Sequence, residues 1–223
     1  MAPRSVLVAA AVVAVLAAAC SGGPPPEVGP PTDPHPAGEA VEVGGWYPME
    51  TTLVGTAAEV EKTGGRQSDG WTVTVVAPSG DCPTDPMSPE KGILCVGLEI
   101  HNDTAAPGGL DAYGGAHDLP LLADPAGQVS SVIGMRIAGM VWAELGTFST
   151  DCTFAPADDE GRQQADCAAL LVLTRRSGIG GEETIGWLTV GAGKTATYVL
   201  RYSNPAQSGT ALYWPDGTWL ALP

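Results

Sequence analysis

Positive charge is scarce in this chain: 10 lysines and arginines stand against 25 aspartates and glutamates, a formal net charge of −15. Phosphate recognition needs clustered basic side chains, so nucleic acid is excluded as a partner. Charged residues make up only 16% of the sequence and hydrophobic ones 44%, so the chain as a whole is not a disordered polymer. Phenylalanine occurs twice. No stretch of ten or more residues carries a clear 3.6-residue apolar period; Gly134–Leu145 is the ambiguous one, and Gly139 weakens it as a helix. There is no G-x-S-x-G, and none of the three histidines has an evident serine partner. C-x-x-C and C-x-x-H spacings are also missing, which argues against a zinc site. What is abundant is glycine (30) and proline (20), with frequent threonine and valine, a mixture that favours short strands and turns.

The apolar run Val6–Cys20, preceded by Arg4, has fifteen residues, fewer than the roughly 20 that span a bilayer. A positive start, an apolar middle and the small residues Ala17-Ala18-Ala19 describe an export signal over residues 1–19. Cys20 follows that box, and Ser21-Gly22-Gly23 follow Cys20. This block resembles the lipobox of bacterial lipoproteins, which implies a diacylglycerol on the Cys20 thiol and anchorage to the outer face of the cell membrane. Ala17 stands where that family usually has leucine, and plain cleavage after Ala19 is the alternative. Loss of Arg4 with the signal takes the net charge to −16.

Residues 21–45 hold seven prolines and six glycines without apolar periodicity. Residues 20–45 are therefore expected to be a lipidated cysteine plus an extended spacer, reaching at most about 75 Å at ~3.1 Å per residue. From Trp46 to Pro223 the composition becomes that of a folded domain. Strand patterns fall at Trp71–Val76, Leu94–Ile100, Leu119–Ala123, Val129–Ile133, Ala168–Thr174, Ile185–Val190, Thr195–Tyr202, Ala211–Trp214 and Thr218–Leu222. Pro215-Asp216-Gly217 is a turn signal between the last two, so they form a hairpin. Many short strands with turn signals predict an all-β sandwich.

If Cys20 carries lipid, four cysteines remain, an even number that reads as two disulfides in an exported protein. Of three pairings the local ones are favoured, Cys82–Cys95 and Cys152–Cys167, because each brackets a Pro/Asp/Gly-rich loop.

Three blocks follow one another: Gly92-Ile-Leu-Cys-Val-Gly-Leu-Glu-Ile-His-Asn102, then Leu119-Pro-Leu-Leu-Ala-Asp-Pro-Ala-Gly127, then Val190-Gly-Ala-Gly-Lys-Thr-Ala-Thr-Tyr-Val-Leu-Arg-Tyr202. The order resembles the immunoglobulin-like domains of exported actinobacterial lipoproteins and secreted antigens, largely a domain of unknown function. The resemblance covers residues 70–222. It implies an Ig-like two-sheet sandwich outside the cytoplasm with no assigned catalytic residues or cofactor. Residues 134–167, with their own cysteine pair, look like an insertion into that pattern.

Gly191-Ala-Gly-Lys-Thr195 invites a phosphate-loop reading, but Leu188 stands where the motif needs glycine and a strand follows where it needs a helix. His101, Asp103, Asp111, His117 and Asp118 lie close in sequence and could together ligate zinc or copper, although their spacing matches no template. Asp151, Asp158, Asp159, Glu160 and Asp166 form an acidic segment that offers oxygen ligands to Ca²⁺ but lacks the EF-hand pattern. Tyr213, Trp214 and Trp219 cluster at the last hairpin and are the candidate partner surface, with at least one of them expected in the core. The expectation is a non-enzymatic, lipid-anchored binding module that meets an envelope protein. An extracytoplasmic ligand- or metal-binding lipoprotein is the alternative, and a hydrolase is third.

Overall fold

Alternation of valine, leucine and tyrosine with polar residues produces strands wherever it occurs, and the computed structural model is all-β. It describes residues 33–83, 92–111, 118–142, 145–178, 181–203 and 209–223. Residues 1–19, expected to be an export signal, together with Cys20 and His117 lie outside the described residues.

In chain order the strands are β1 (Ala40–Val43), β2 (Tyr47–Val54), β3 (Ala57–Lys62), β4 (Trp71–Val76), β5 (Ile93–Asn102) and β6 (Gly108–Asp111). Then follow β7 (Leu121–Ala123), β8 (Val129–Ser130), β9 (Val132–Ile137), β10 (Gly146–Thr150), β11 (Thr153–Phe154) and β12 (Arg162–Asp166). The last are β13 (Ala169–Gly178), β14 (Gly181–Val190), β15 (Thr195–Ser203), β16 (Ala211–Tyr213) and β17 (Trp219–Ala221). One sheet has the order β1-β4-β5-β15-β9. A second runs β10-β13-β14-β6-β2-β12-β11, with β3 also paired to β2. A small third sheet runs β17-β16-β7-β8, and all the pairings between strands are antiparallel.

The inner face of the first sheet carries Trp71, Val73, Leu98, Ile100, Tyr198, Leu200 and Tyr202, none measurably exposed. Opposite them stand Leu110, Leu171, Leu188 and Val190 from the second sheet, in the same core cluster. Leu122, Leu212 and Leu220 of the third sheet, with Trp214 just after β16, close one side of that cluster. β13 is buried on both faces over Ala169–Leu173. Its Leu171 and Leu173 face the main core, while Leu170 and Val172 pack with Ala165, Cys167, Leu53 and Val60 in a second cluster. That explains its unbroken Ala-Leu-Leu-Val-Leu run. Gly108 sits where a Cβ would come within 2.7 Å of the Trp46 ring, which stacks on Trp71 with centroids 5.5 Å apart.

Both favoured cysteine pairs are disulfides, Cys82–Cys95 and Cys152–Cys167. The Pro215–Gly217 turn closes the β16–β17 hairpin: Trp214 N–H donates to Thr218 O at 2.8 Å, and Gly217 takes φ 100°. The glycine-lysine segment is a tight turn between β14 and β15, with Lys194 N–H on Gly191 O at 3.1 Å.

Two expected boundaries move. The folded part begins before Trp46, because Val41 and Val43 alternate inward in β1, at 8% and 1% exposure, against β4. Further out, His35 N–H donates to Trp219 O and Ala221 N–H donates to His35 O, so this part of the expected spacer runs along the edge of β17. Proline and glycine around this strand hid its two-residue period. Residues 134–167 contribute strands to both large sheets. Val132–Ile137 is an edge strand of the first sheet, paired with β15, and β10 is an edge strand of the second, paired with β13. The ambiguous stretch Gly134–Leu145 is thus strand up to Ile137, with a turn at Ala138 and Gly139; residues 143 and 144 lie outside the described residues.

Candidate functional site

The structure separates the three aromatic residues of the last hairpin. Trp214 is fully buried, and its Nε1–H donates to Gly44 O at 2.7 Å. It is a core residue and leaves the candidate partner surface. Tyr213 and Trp219 are cross-strand partners in the β16–β17 pair. Their rings lie 4.9 Å apart at a 52° tilt, both half-buried, so one side of the pair faces solvent. Alternation along β16 makes the split unavoidable: neighbouring residues of a strand point to opposite faces. The His35 segment lies beside Trp219, so the chain arrives from its N-terminal side at this same end of the domain.

The histidine-aspartate group comes apart. His101 Nε2 lies 2.9 Å from Asp103 Oδ1, and its Nδ1 lies 2.9 Å from Thr195 Oγ1. Asp111 pairs with Lys62 at 3.4 Å, and Asp118 forms an ion pair with Arg66. The carboxylates thus have separate cationic or imidazole partners. Among the described residues no group of three His, Cys, Asp or Glu is placed to hold a metal ion.

Thr195 beside His101 was not legible in the sequence, since 94 residues separate them and only the β5–β15 register, Thr195 opposite His101, joins them. Threonine, imidazole and carboxylate in a row have the connectivity of a nucleophile, base and orienting group. Their setting is wrong for that chemistry. The side chains of His101 and Asp103 are 41% and 55% exposed at an open corner, where water competes for every polar contact.

Three of the five acids in the acidic segment have basic partners. Asp158 Oδ2 accepts from Arg162 Nε at 2.9 Å, Glu160 pairs with Arg162 at 3.1 Å, and Asp166 pairs with Lys194 at 3.3 Å. The backbone N–H of Arg162, then its guanidinium, hold the Asp158 carboxyl below its ordinary pKa. The segment is no loose loop: β12 pairs with β2, and β11 folds back on β12 across from the Cys152–Cys167 bridge.

That arrangement makes a cleft of about 560 Å³, within the usual range for small-molecule sites of about 300–1,000 Å³. β2 pairs with β6 through Tyr47 and Pro48 and with β12 through Thr52–Val54. Between those contacts Met49, Glu50 and Thr51 form one wall. Thr153, Phe154 and Ala155 of the disulfide-bridged hairpin form the other, with Gln164, Ala165 and Asp166 beside them and Pro107 and Thr63 completing the lining. Met49 and Thr51 are buried at 3% and 5% exposure, whereas Phe154 is 51% exposed at the rim. Gln164 Nε2–H donates to the Glu50 carboxylate across the cleft. Sequence reading missed this site because its walls come from strands it did not predict. β2 contains Pro48, and β11–β12 lie inside an acidic, Gly/Pro-containing run.

A second unforeseen surface surrounds Tyr47: Lys62 Nζ lies 3.9 Å and the Arg66 guanidinium 5.5 Å from its ring centroid. No family model, curated protein or solved structure matches the chain.

Proposed function

We propose that this chain is an exported binding module of the cell envelope, tethered through lipid on Cys20, that engages an envelope protein and performs no catalysis. The reading rests on the Tyr213–Trp219 pair. Two large amphipathic rings are held side by side on a hairpin anchored from below by Trp214, and such rings supply contact area at low entropic cost. The two disulfides support export, because such bonds persist in oxidising compartments. The likeness of residues 70–222 to immunoglobulin-like domains of actinobacterial lipoproteins belongs to this reading. The second reading, an extracytoplasmic ligand-binding lipoprotein, is favoured by the cleft between β2 and the β11–β12 hairpin.

In-cell crosslinking of the full chain, followed by mass spectrometry, tests the first reading. The expected result is a partner captured by wild type, lost in Cys20→Ser and reduced at least five-fold in Tyr213→Ala/Trp219→Ala. Capture unchanged by the hairpin substitutions overturns the assignment of that surface. Capture unchanged by Cys20→Ser overturns the need for the anchor.

A further inference from the structure

We infer that the cleft between β2 and the disulfide-bridged hairpin is a binding site for a neutral saccharide. This rests on the ligand-binding reading above and stands apart from the aromatic hairpin.

The lining selects the ligand class by its charges. No lysine, arginine or histidine is among the described lining residues, so phosphates, sulfates and carboxylates find no counter-charge. Two carboxylates line it, and each has one oxygen engaged. Glu50 accepts from Gln164 Nε2–H, and Asp166 Oδ2 has Lys194 Nζ at 3.3 Å. Asp166 Oδ1 has no hydrogen-bond partner but is buried, so a cation in the cleft would meet the already paired oxygens first.

What remains is a mixture of donors and acceptors: the Thr63 hydroxyl, the lone pairs of Thr153 Oγ1, whose proton goes to Asp166 O, the second Nε2–H and the carbonyl oxygen of Gln164, and the second Glu50 oxygen. Sugar hydroxyls both donate and accept, so they match such a mixture, whereas an amine only donates. Apolar surface is supplied by Met49 and Pro107 in the lining and by the Phe154 ring at the rim. Phe154 is 51% exposed, and its ring face suits the C–H face of a pyranose. The hairpin carrying Phe154 is stapled by Cys152–Cys167 and hydrogen-bonded to β2, so the walls are held in place before a ligand arrives.

Calorimetric titration of the full chain with soluble maltotriose, with diacetylchitobiose and with spermidine, and pull-down on immobilised cell-wall polysaccharide of the host, test this. The expected result is binding of a neutral sugar that is insensitive to added NaCl, weakened at least ten-fold by Phe154→Ala and retained by Phe154→Trp. Phe154 is exposed enough for both variants to keep the wild-type unfolding midpoint. Binding of the soluble sugars assigns a free saccharide, and pull-down alone assigns a wall-bound one. Equal binding by Phe154→Ala overturns the site. Spermidine binding without sugar binding overturns the saccharide and keeps the ligand-binding reading, while silence from every probe overturns both.

Discussion

Tyr198 lies at the centre of the molecule, and its hydroxyl joins both sheets. It accepts the Leu170 N–H at 3.2 Å and reaches the carbonyls of Leu170, at 3.1 Å, and Thr189. Tyr202 OH donates to Pro120 O at 2.9 Å, towards the third sheet. Burial pushes both phenols well above their ordinary pKa; for Tyr198 this outweighs the lowering by its backbone partners. The raised value sets a sign. The unfolded chain ionises these tyrosines above about pH 10 while the folded chain cannot, so the unfolded state binds fewer protons there. The stabilisation is complete below that pH and is lost as pH rises further. Tyr198→Phe should lower stability in urea by about 1–3 kcal/mol, because buried backbone groups lose their partner. It should also flatten the decline above pH 10. A steeper decline, or an unchanged urea midpoint, would contradict this role.

The β11–β12 hairpin shows how a short element depends on its connections. β11 has two residues, β12 has five, and three of those pair with β2. Such short pairings are marginal alone. Cys152–Cys167 closes a fifteen-residue separation at the base of this hairpin. In the chain-entropy model a loop of that size is stabilised by roughly 3 kcal/mol. Replacing both cysteines by alanine should lower the urea midpoint by a corresponding amount. The hairpin amides should become the least protected in hydrogen exchange, while those of β4, β5 and β15 keep their order of protection. Equal loss of protection in both sheets would mean that the hairpin is part of the global core rather than an attached wall of the cleft. Gly97 shows the opposite case, an element that tolerates no addition. A Cβ there would lie 2.8 Å from Val76 O and 2.9 Å from Ala77 O, backbone atoms that cannot swing away.

The molecule as a whole is closed by its own N-terminal segment. β1 extends the first sheet beyond β4, the His35 segment covers β17, and Gly44 N–H donates to Asp216 Oδ2 at 2.6 Å in the last turn. Residues 35 to 44 thus join the first sheet to the third. A chain beginning at Trp46 loses Val41 and Val43 from the core and leaves the β17 edge bare. Burial of two valines is worth about 3–6 kcal/mol. That chain should therefore unfold at a markedly lower urea concentration than one beginning at Asp33, and it should aggregate through the exposed edge. Matching midpoints and equal solubility would show that the segment is a spacer after all.

Composition, alternation and turn chemistry were local enough for the sequence to settle them. Trp71–Val76, Leu94–Ile100 and Thr195–Tyr202 read as strands because every second residue is apolar, and Pro215–Gly217 reads as a turn because proline fixes φ and glycine admits φ > 0 within a few bonds. The disulfide pairs were also legible, since short loops favour local closure. Strands β1, β2, β3, β6 and β10–β12 were not. They are interrupted by Pro48, built on Gly108-Gly109, or filled with Ala, Glu, Lys, Gln and Arg, and they persist because partners across the sheet supply what propensity lacks. The same holds for the sites. Sequence could cluster Tyr213, Trp214 and Trp219, but which face each residue shows depends on the sheet they join. The cleft, and the meeting of His101 with Thr195, arise from register between segments tens of residues apart, and register is fixed by which faces the whole core buries.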